Sequence, residues 1–217
     1  MRKELEAVLF DMDGLLVDTE PLWFETEGEV MARLGGPWTR EDQEHLLGGS
    51  MDNTVSYILA KATISAKPSE IARWMTDGML RRAAEGRVTV RPGARELLAE
   101  VAAAAIPHAL VTGSQRPFTE AVLASTGFHF PVTITGDDVT RTKPAPEPYL
   151  LAAKLLDADP AQCVALEDSP NGVTSATAAG CYVIAVPSLL PIPPAEGRLI
   201  VPSLSAVTVE TLRALAA

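Results

Sequence analysis

Residues 7–18 read AVLFDMDGLLVD: four apolar residues, two aspartates two positions apart at Asp11 and Asp13, then a second apolar run. An apolar run this short, ended by charge, has the length of a strand buried on both faces rather than of a helix. Runs of the same kind recur at 108–111, 132–135, 163–166 and 181–186. Helical patterns lie between the later ones. In 93–105, Leu97, Leu98, Val101 and Ala105 share one helix face. Pro117 opens 118–126 and Gly127 closes it; 148–156 carries Leu151 and Leu155 four apart; 170–179 starts behind Ser169, a candidate N-cap, and ends at Gly180. Strands alternating with helices over short links predict a parallel sheet covered on both faces, a Rossmann-like α/β core.

The stretch 18–88 breaks this alternation. It predicts helices at 23–34, 40–47, 53–61 and 69–85, punctuated by Gly35-Gly36-Pro37 and Gly48-Gly49-Ser50, and no strand. The expected organisation is a catalytic core of residues 1–17 and 89–217 carrying an inserted α-helical cap over 18–88, with hinges near 16–18 and 87–92.

Composition narrows the function. The 217 residues are 47% hydrophobic and 21% charged, ordinary globular usage. Lys plus Arg (18) against Asp plus Glu (28) leaves a net charge of −10, the wrong sign for nucleic acid or an anionic membrane surface. A small phosphorylated metabolite stays admissible, because one lysine and a bound cation reverse the field locally. No apolar run approaches the ~20 residues of a membrane span, and the N-terminus reaches Asp11 too soon for a secretory leader. Cys163 and Cys181 fall in separate apolar runs and read as free core thiols, so a soluble cytoplasmic chain is expected, with no obligate protein partner evident.

In open parallel sheets, ligands bind beyond the carboxyl ends of the strands. Asp11 and Asp13 follow the first strand, Thr112-Gly113-Ser114 the second, Lys143 lies in the loop after the third, and Glu167 and Asp168 follow the fourth. Four carboxylates are thereby predicted on one rim. Two like charges at about 4 Å repel by about 4 kcal/mol at an effective dielectric near 20, so such a rim calls for a cation. Oxygen donors with room for phosphate favour Mg²⁺.

FDMDGLLVDTE (10–20), LVTGSQ (110–115), TKPAPEPY (142–149) and ALEDSPNGV (165–173) resemble, in order, the four motifs of the haloacid dehalogenase-like superfamily, and within it the β-phosphoglucomutase-like phosphatases with a helical cap after the first strand. The resemblance implies a Mg²⁺-dependent phosphatase acting on a small phosphomonoester of a sugar, polyol or nucleoside. Asp11 would form an aspartyl-phosphate, and Asp13 would serve as general acid and then general base. Thr112 and Gly113 would hold the phosphoryl oxygens, and Lys143 would bridge Asp11 and the phosphoryl group. The metal ligands would be Asp11, the Asp13 carbonyl, Asp168, and Glu167 directly or through water. The aspartate two residues after the nucleophile favours phosphoryl transfer over carbon–halogen cleavage.

The resembling mutases carry a histidine where this chain has Trp23 and a phosphate-gripping arginine where it has Met51, so hydrolysis is expected before mutase activity. Arg33, Arg40, Lys61 or Lys67 would have to substitute in a mutase. A non-catalytic phospho-ligand-binding module is the third reading. Several roles stay open: Thr19 near the site or as an N-cap, Ser114 on phosphate or as a cap, Trp23 and Met51 lining the pocket or the bundle core. Trp74, Met75 and Met79 read as bundle core, and His45, His108 and His129 as structural. Asp137 and Asp138 read as loop hydrogen-bonders rather than ligands.

Overall fold

The computed structural model describes residues 4–46 and 51–216. Leu47 and the expected Gly48-Gly49-Ser50 turn lie outside these residues. Strand β1 (Ala7–Phe10) is wholly buried and lies centrally in a six-stranded sheet, as a purely apolar run requires. Its neighbours are β4 (His108–Val111) and β6 (Cys163–Glu167), with β5 (Val132–Ile134) outside β4 and β7 (Tyr182–Ala185) then β8 (Arg198–Ile200) outside β6. Every pair in this sheet is parallel.

Side chains of successive strand residues point to opposite faces, and two apolar clusters follow from that. Val8, Phe10, Leu110, Val164 and Leu166 face helices α5 (Ala94–Ala103), α6 (Arg116–Thr126) and α9 (Val209–Ala216). Ala7, Leu9, Ala109, Val111, Cys163 and Ala165 face α7 (Glu147–Leu155) and α8 (Pro170–Ala178). The architecture is Rossmann-like α/β. Burying a side chain the size of Leu9 or Phe10 contributes about 1.5–3 kcal/mol, so β1 anchors the sheet from both sides. Ser169 caps α8 by accepting a hydrogen bond from the Gly172 amide, and Gly127 closes α6 in the left-handed region at φ 72°. Both cysteines are free and buried.

Two elements beyond the expected set complete the sheet side. The proline-rich stretch after β7 returns as the three-residue β8, and α9 docks through Leu212 and Ala216, four apart. The crossings at 16–18 and 87–92 are also more ordered than simple hinges. β2 (Val17–Asp18) pairs antiparallel with β3 (Thr89–Val90), so Asp18 is in a strand rather than in the helical stretch. The two passages into and out of the insertion are thus tied together.

The insertion holds α1 (Glu20–Arg33), α2 (Arg40–Leu46), α3 (Met51–Lys61) and α4 (Pro68–Ala84). Helix α1 starts three residues earlier than the apolar pattern suggests, because Pro21 in its first turn needs no amide partner. Val30, Met31, Leu34, Val55, Ile58, Ile71 and Met75 form its core, while Met79 joins the cluster against the sheet. Buried Arg82 of α4 reaches Glu29 at 2.7 Å and Glu25 at 3.2 Å on α1. Among the described residues no helix is long and apolar enough to cross a membrane.

Glu27 is the one carboxylate of α1 turned into this packing. It is 4% exposed and accepts a hydrogen bond from Trp38 Nε1 at 3.1 Å. Burial raises its pKa from the usual 4.5 to about 7, the Trp38 bond opposing. A carboxyl whose folded pKa is raised destabilises the fold only once it must ionise, so the cost is absent below about pH 4.5 and complete above about pH 7. Glu27→Gln keeps an acceptor for Trp38 without the charge. Thermal denaturation is expected to show the variant more stable than the parent at pH 8, by on the order of 1 kcal/mol, and no such gain at pH 4.

Candidate active site

Strands β4, β1 and β6 are adjacent, so their carboxyl ends open on one rim. The ladder continues just past them: the Asp11 amide donates to Leu166 O at 3.0 Å, and the Thr112 amide to Ile134 O at 2.9 Å. These bonds aim the side chains of Asp11, Thr112, Glu167 and Asp168 into one cleft, and the loop after β5 brings Lys143 across to them.

Lys143 is the hub. Its Nζ donates to Asp11 Oδ1 at 2.5 Å, Glu167 Oε1 at 2.6 Å and Val111 O at 2.9 Å, which uses all three ammonium protons. Burial by itself would lower the lysine pKa, but Asp11 and then Glu167 outweigh it and raise it, so the group is an ammonium. Asp11 is held well above the usual carboxylate range, first by burial, with Lys143 opposing and Glu167, Asp168 and Asp13 adding repulsion. Asp168 is pushed up to about 7 by burial and then by Glu167, while the hydroxyl of Ser188, 2.5 Å from its Oδ2, pulls the other way.

Glu167 has no exposed surface, and both its oxygens are occupied. Oε1 accepts from Lys143 and from the Tyr149 hydroxyl at 2.6 Å; Oε2 accepts from the Asp168 amide at 3.1 Å and Ser169 Oγ at 3.3 Å. Two glycines give the acids room. A Cβ on Gly172 would fall about 2 Å from the Glu167 carboxylate, and one on Gly14, which has φ +84°, would lie 1.9 Å from Asp168 Oδ2.

Carboxylate oxygens of Asp11, Glu167 and Asp168 all lie within 4.8 Å of one another. An oxygen-only donor set fits a hard divalent cation, whose charge would offset both the burial and the added repulsion that raise Asp11 and Asp168. Because Glu167 is fully engaged by four donors, Asp11 and Asp168 are the better placed side chains to hold one directly.

Asp13 faces the same cleft, half-buried, and gathers three hydroxyls. Its Oδ1 accepts from Thr19 Oγ1 at 2.9 Å; its Oδ2 accepts from Ser114 Oγ at 2.8 Å and Thr112 Oγ1 at 3.2 Å. Thr19 caps no amide of α1 with its side chain, and Ser114 turns its hydroxyl to Asp13 while its amide donates to Thr112 Oγ1. A Cβ on Gly113 would meet nothing within 4 Å, so this backbone borders open space. Trp23 packs between the sheet-side cluster and the insertion core, and Met51 packs on the insertion core. Asp137 and Asp138 bond the Arg116 amide and guanidinium, and Asp138 also takes the Thr135 amide and hydroxyl.

The sequence carries little to mark Tyr149 and Ser188 as partners of the acids. Tyr149 lies inside the TKPAPEPY stretch, six residues from Lys143, the one local signal that it shares the lysine's surroundings. Nothing local marks Ser188, which lies 20 residues from Asp168 and is carried to it by the parallel pairing of β6 with β7.

A family model described as haloacid dehalogenase-like hydrolase matches residues 8–186. Protein CbbY of Cereibacter sphaeroides is 36% identical over 194 residues, 84% of each chain. Hexitol phosphatase A of Escherichia coli K12 is 35% identical over 193 residues, 83% of this chain and 82% of its own. A crystallised CbbY mutant from Rhodobacter sphaeroides in complex with xylulose-(1,5)bisphosphate superimposes with a TM-score of 0.85 at 32% identity, covering 96% of this chain and 99% of that one.

The contact of Gly172 with Glu167 generates a direct test. Gly172→Ala forces the carboxylate off its four donors, and turnover is expected to fall at least about tenfold, since roughly 1.4 kcal/mol of misplacement suffices for that. The melting temperature should fall with it. Undiminished turnover in a phosphate-release assay would contradict the geometry.

Proposed function

Since the chain belongs to the haloacid dehalogenase-like hydrolase family and is a phosphoric monoester hydrolase, we propose that it hydrolyses a small phosphorylated sugar or polyol through an aspartyl-phosphate on Asp11, with Mg²⁺ as its cofactor. The observation that carries this reading is the Lys143 hub: one buried ammonium touches Asp11 and Glu167 beside the half-buried, hydroxyl-bound Asp13.

In the proposed reaction the Asp11 oxygen not bonded to Lys143 attacks phosphorus. The bond to the leaving alkoxide breaks, and Asp13 supplies its proton. Thr19, Ser114 and Thr112 fix the plane of the Asp13 carboxyl, so that it can next take a proton from the water that attacks the phospho-aspartate. Lys143 neutralises charge on the phosphoryl oxygens, and the Gly113 amide holds them, joined by the Thr112 hydroxyl when it turns from Asp13 to the bound phosphate. Asp11, the Asp13 carbonyl and Asp168, with Glu167 directly or through water, would hold Mg²⁺, which would supply charge neutralisation for two anions meeting in one cleft.

We assign residues 18–88 as a cap that excludes water from this cleft, over a core of 1–17 and 89–217. The substrate class rests on the relatives: one is a hexitol phosphatase, and CbbY is crystallised with a sugar bisphosphate. Hydrolysis is favoured over a mutase reaction, which must hold a second phosphate on a fixed cation in the cap. Trp23 and Met51 supply none. Arg33 lies over the Trp74 ring, Arg40 over Phe24, and Lys61 is paired with Asp42.

Release of inorganic phosphate from a panel of hexose, hexitol and pentose phosphates, and from p-nitrophenyl phosphate, tests the reading. Turnover is expected to need Mg²⁺ and to cease with EDTA. Asp11→Asn should lose at least roughly a thousandfold in kcat, because no other group on the rim can replace the nucleophile. An isomerised phosphate with no free phosphate would replace the hydrolase by a mutase.

A further inference from the structure

Tyr149 lies beneath the proposed machinery without contacting the cleft. It is the third residue of α7, has no exposed surface, and is the largest wholly buried side chain described. Two of its contacts go beyond core filling. Its hydroxyl donates to Glu167 Oε1 at 2.6 Å, and the Lys143 ammonium stands 5.1 Å from the centroid of its ring. Lys143 Nζ and Tyr149 Oη therefore converge on a single carboxylate oxygen.

This convergence addresses a competition. Lys143 is shared between Asp11 at 2.5 Å and Glu167 at 2.6 Å, nearly equal distances. A buried carboxylate short of a donor draws the nearest cation to itself, because unsatisfied charge is costly in a low-dielectric interior. Without a second donor on Oε1, Glu167 would pull the ammonium out of reach of Asp11. The ring adds a face that a cation favours, which limits where the ammonium can go. The anchoring is reinforced from the neighbouring loop: Ser175 Oγ donates to Ala145 O at 2.5 Å, and the Glu147 carboxylate takes the amides of Thr140 and Arg141.

We propose that Tyr149 is a positioning residue: by satisfying Glu167 and backing the Lys143 ammonium, it keeps that lysine on Asp11 during phosphoryl transfer. The inference rests on the hydrolase reading above and adds a residue to it.

Tyr149→Phe preserves the ring and removes only the hydroxyl. With a wild type that releases phosphate, the variant is expected to lose about 10–100-fold in kcat, the range for one hydrogen bond to a charged group, with KM changed less than about threefold. In a Glu167→Gln background the same substitution should cost less than about threefold, because partners in one network do not add. Wild-type kcat in Tyr149→Phe, or an equal further loss in the Glu167→Gln background, would overturn the proposal. If Tyr149→Phe does not fold, the wild-type enzyme crystallised with Mg²⁺ and beryllium trifluoride decides. Tyr149 Oη within hydrogen-bonding reach of Glu167, with Lys143 on the Asp11 adduct, supports the inference; a hydroxyl turned away overturns it. A wild type inactive on every phosphate offered defeats the hydrolase reading instead, and the two failures stay distinct.

Discussion

One buried ammonium among several acids constrains the rest of the molecule. Lys143 neutralises only part of the charge carried by Asp11, Glu167 and Asp168; burial first, and then the neighbouring acids, raise the pKa values of Asp11 and Asp168. Such crowding is tolerable only if each acid has donors of its own or a cation arrives. Glu167 follows the first course, with four donors, and is sealed from solvent. Asp11 and Asp168 have one side-chain donor each, Lys143 and Ser188, and are the acids a cation would serve. The close approach of Gly14 and Gly172 to these carboxylates has the same cause, since packing the acids this tightly leaves no volume for a methyl group.

Labour is divided between sheet and loops. The parallel ladder of β4, β1 and β6 fixes the spacing of the acids, a frame built from apolar residues apart from His108 at the start of β4 and Glu167 at the end of β6. The groups that orient Asp13 come instead from loops: Ser114 and Thr112 beyond β4, and Thr19 at the entrance to the insertion. Thr19 therefore links the passage into the helical insertion directly to a side chain of the cleft. The short β2–β3 pair braces that passage against the return of the chain.

Much of this was legible beforehand where local pattern and tertiary role coincide. The five runs became β1, β4, β5, β6 and β7: the central strands are buried on both faces and so nearly apolar throughout, while β5, at the sheet edge, is half-buried and carries Thr133. Helices bounded by Pro and Gly were equally plain. The chain after residue 186 was not, since a three-residue strand among prolines carries no periodicity and α9 shows its buried face only through Leu212 and Ala216. Two-residue β2 and β3 are invisible for the same reason. Thr19 and Ser114 stayed ambiguous because a hydroxyl before a helix can serve the helix amides or a neighbour, and local sequence does not tell which.

By itself the sequence determined which chemical groups stand at the ends of which strands, because alternation and punctuation encode strand ends locally. It determined the α/β class and the helical insertion on the same grounds. Tertiary structure alone decided which oxygen receives which donor: Lys143 on Asp11 and Glu167, Tyr149 on Glu167, Ser188 on Asp168, three hydroxyls on Asp13. Most of these partners lie on different elements, so their meeting depends on strand register and loop course. Those are properties of the packed whole, which periodicity within any one segment does not record.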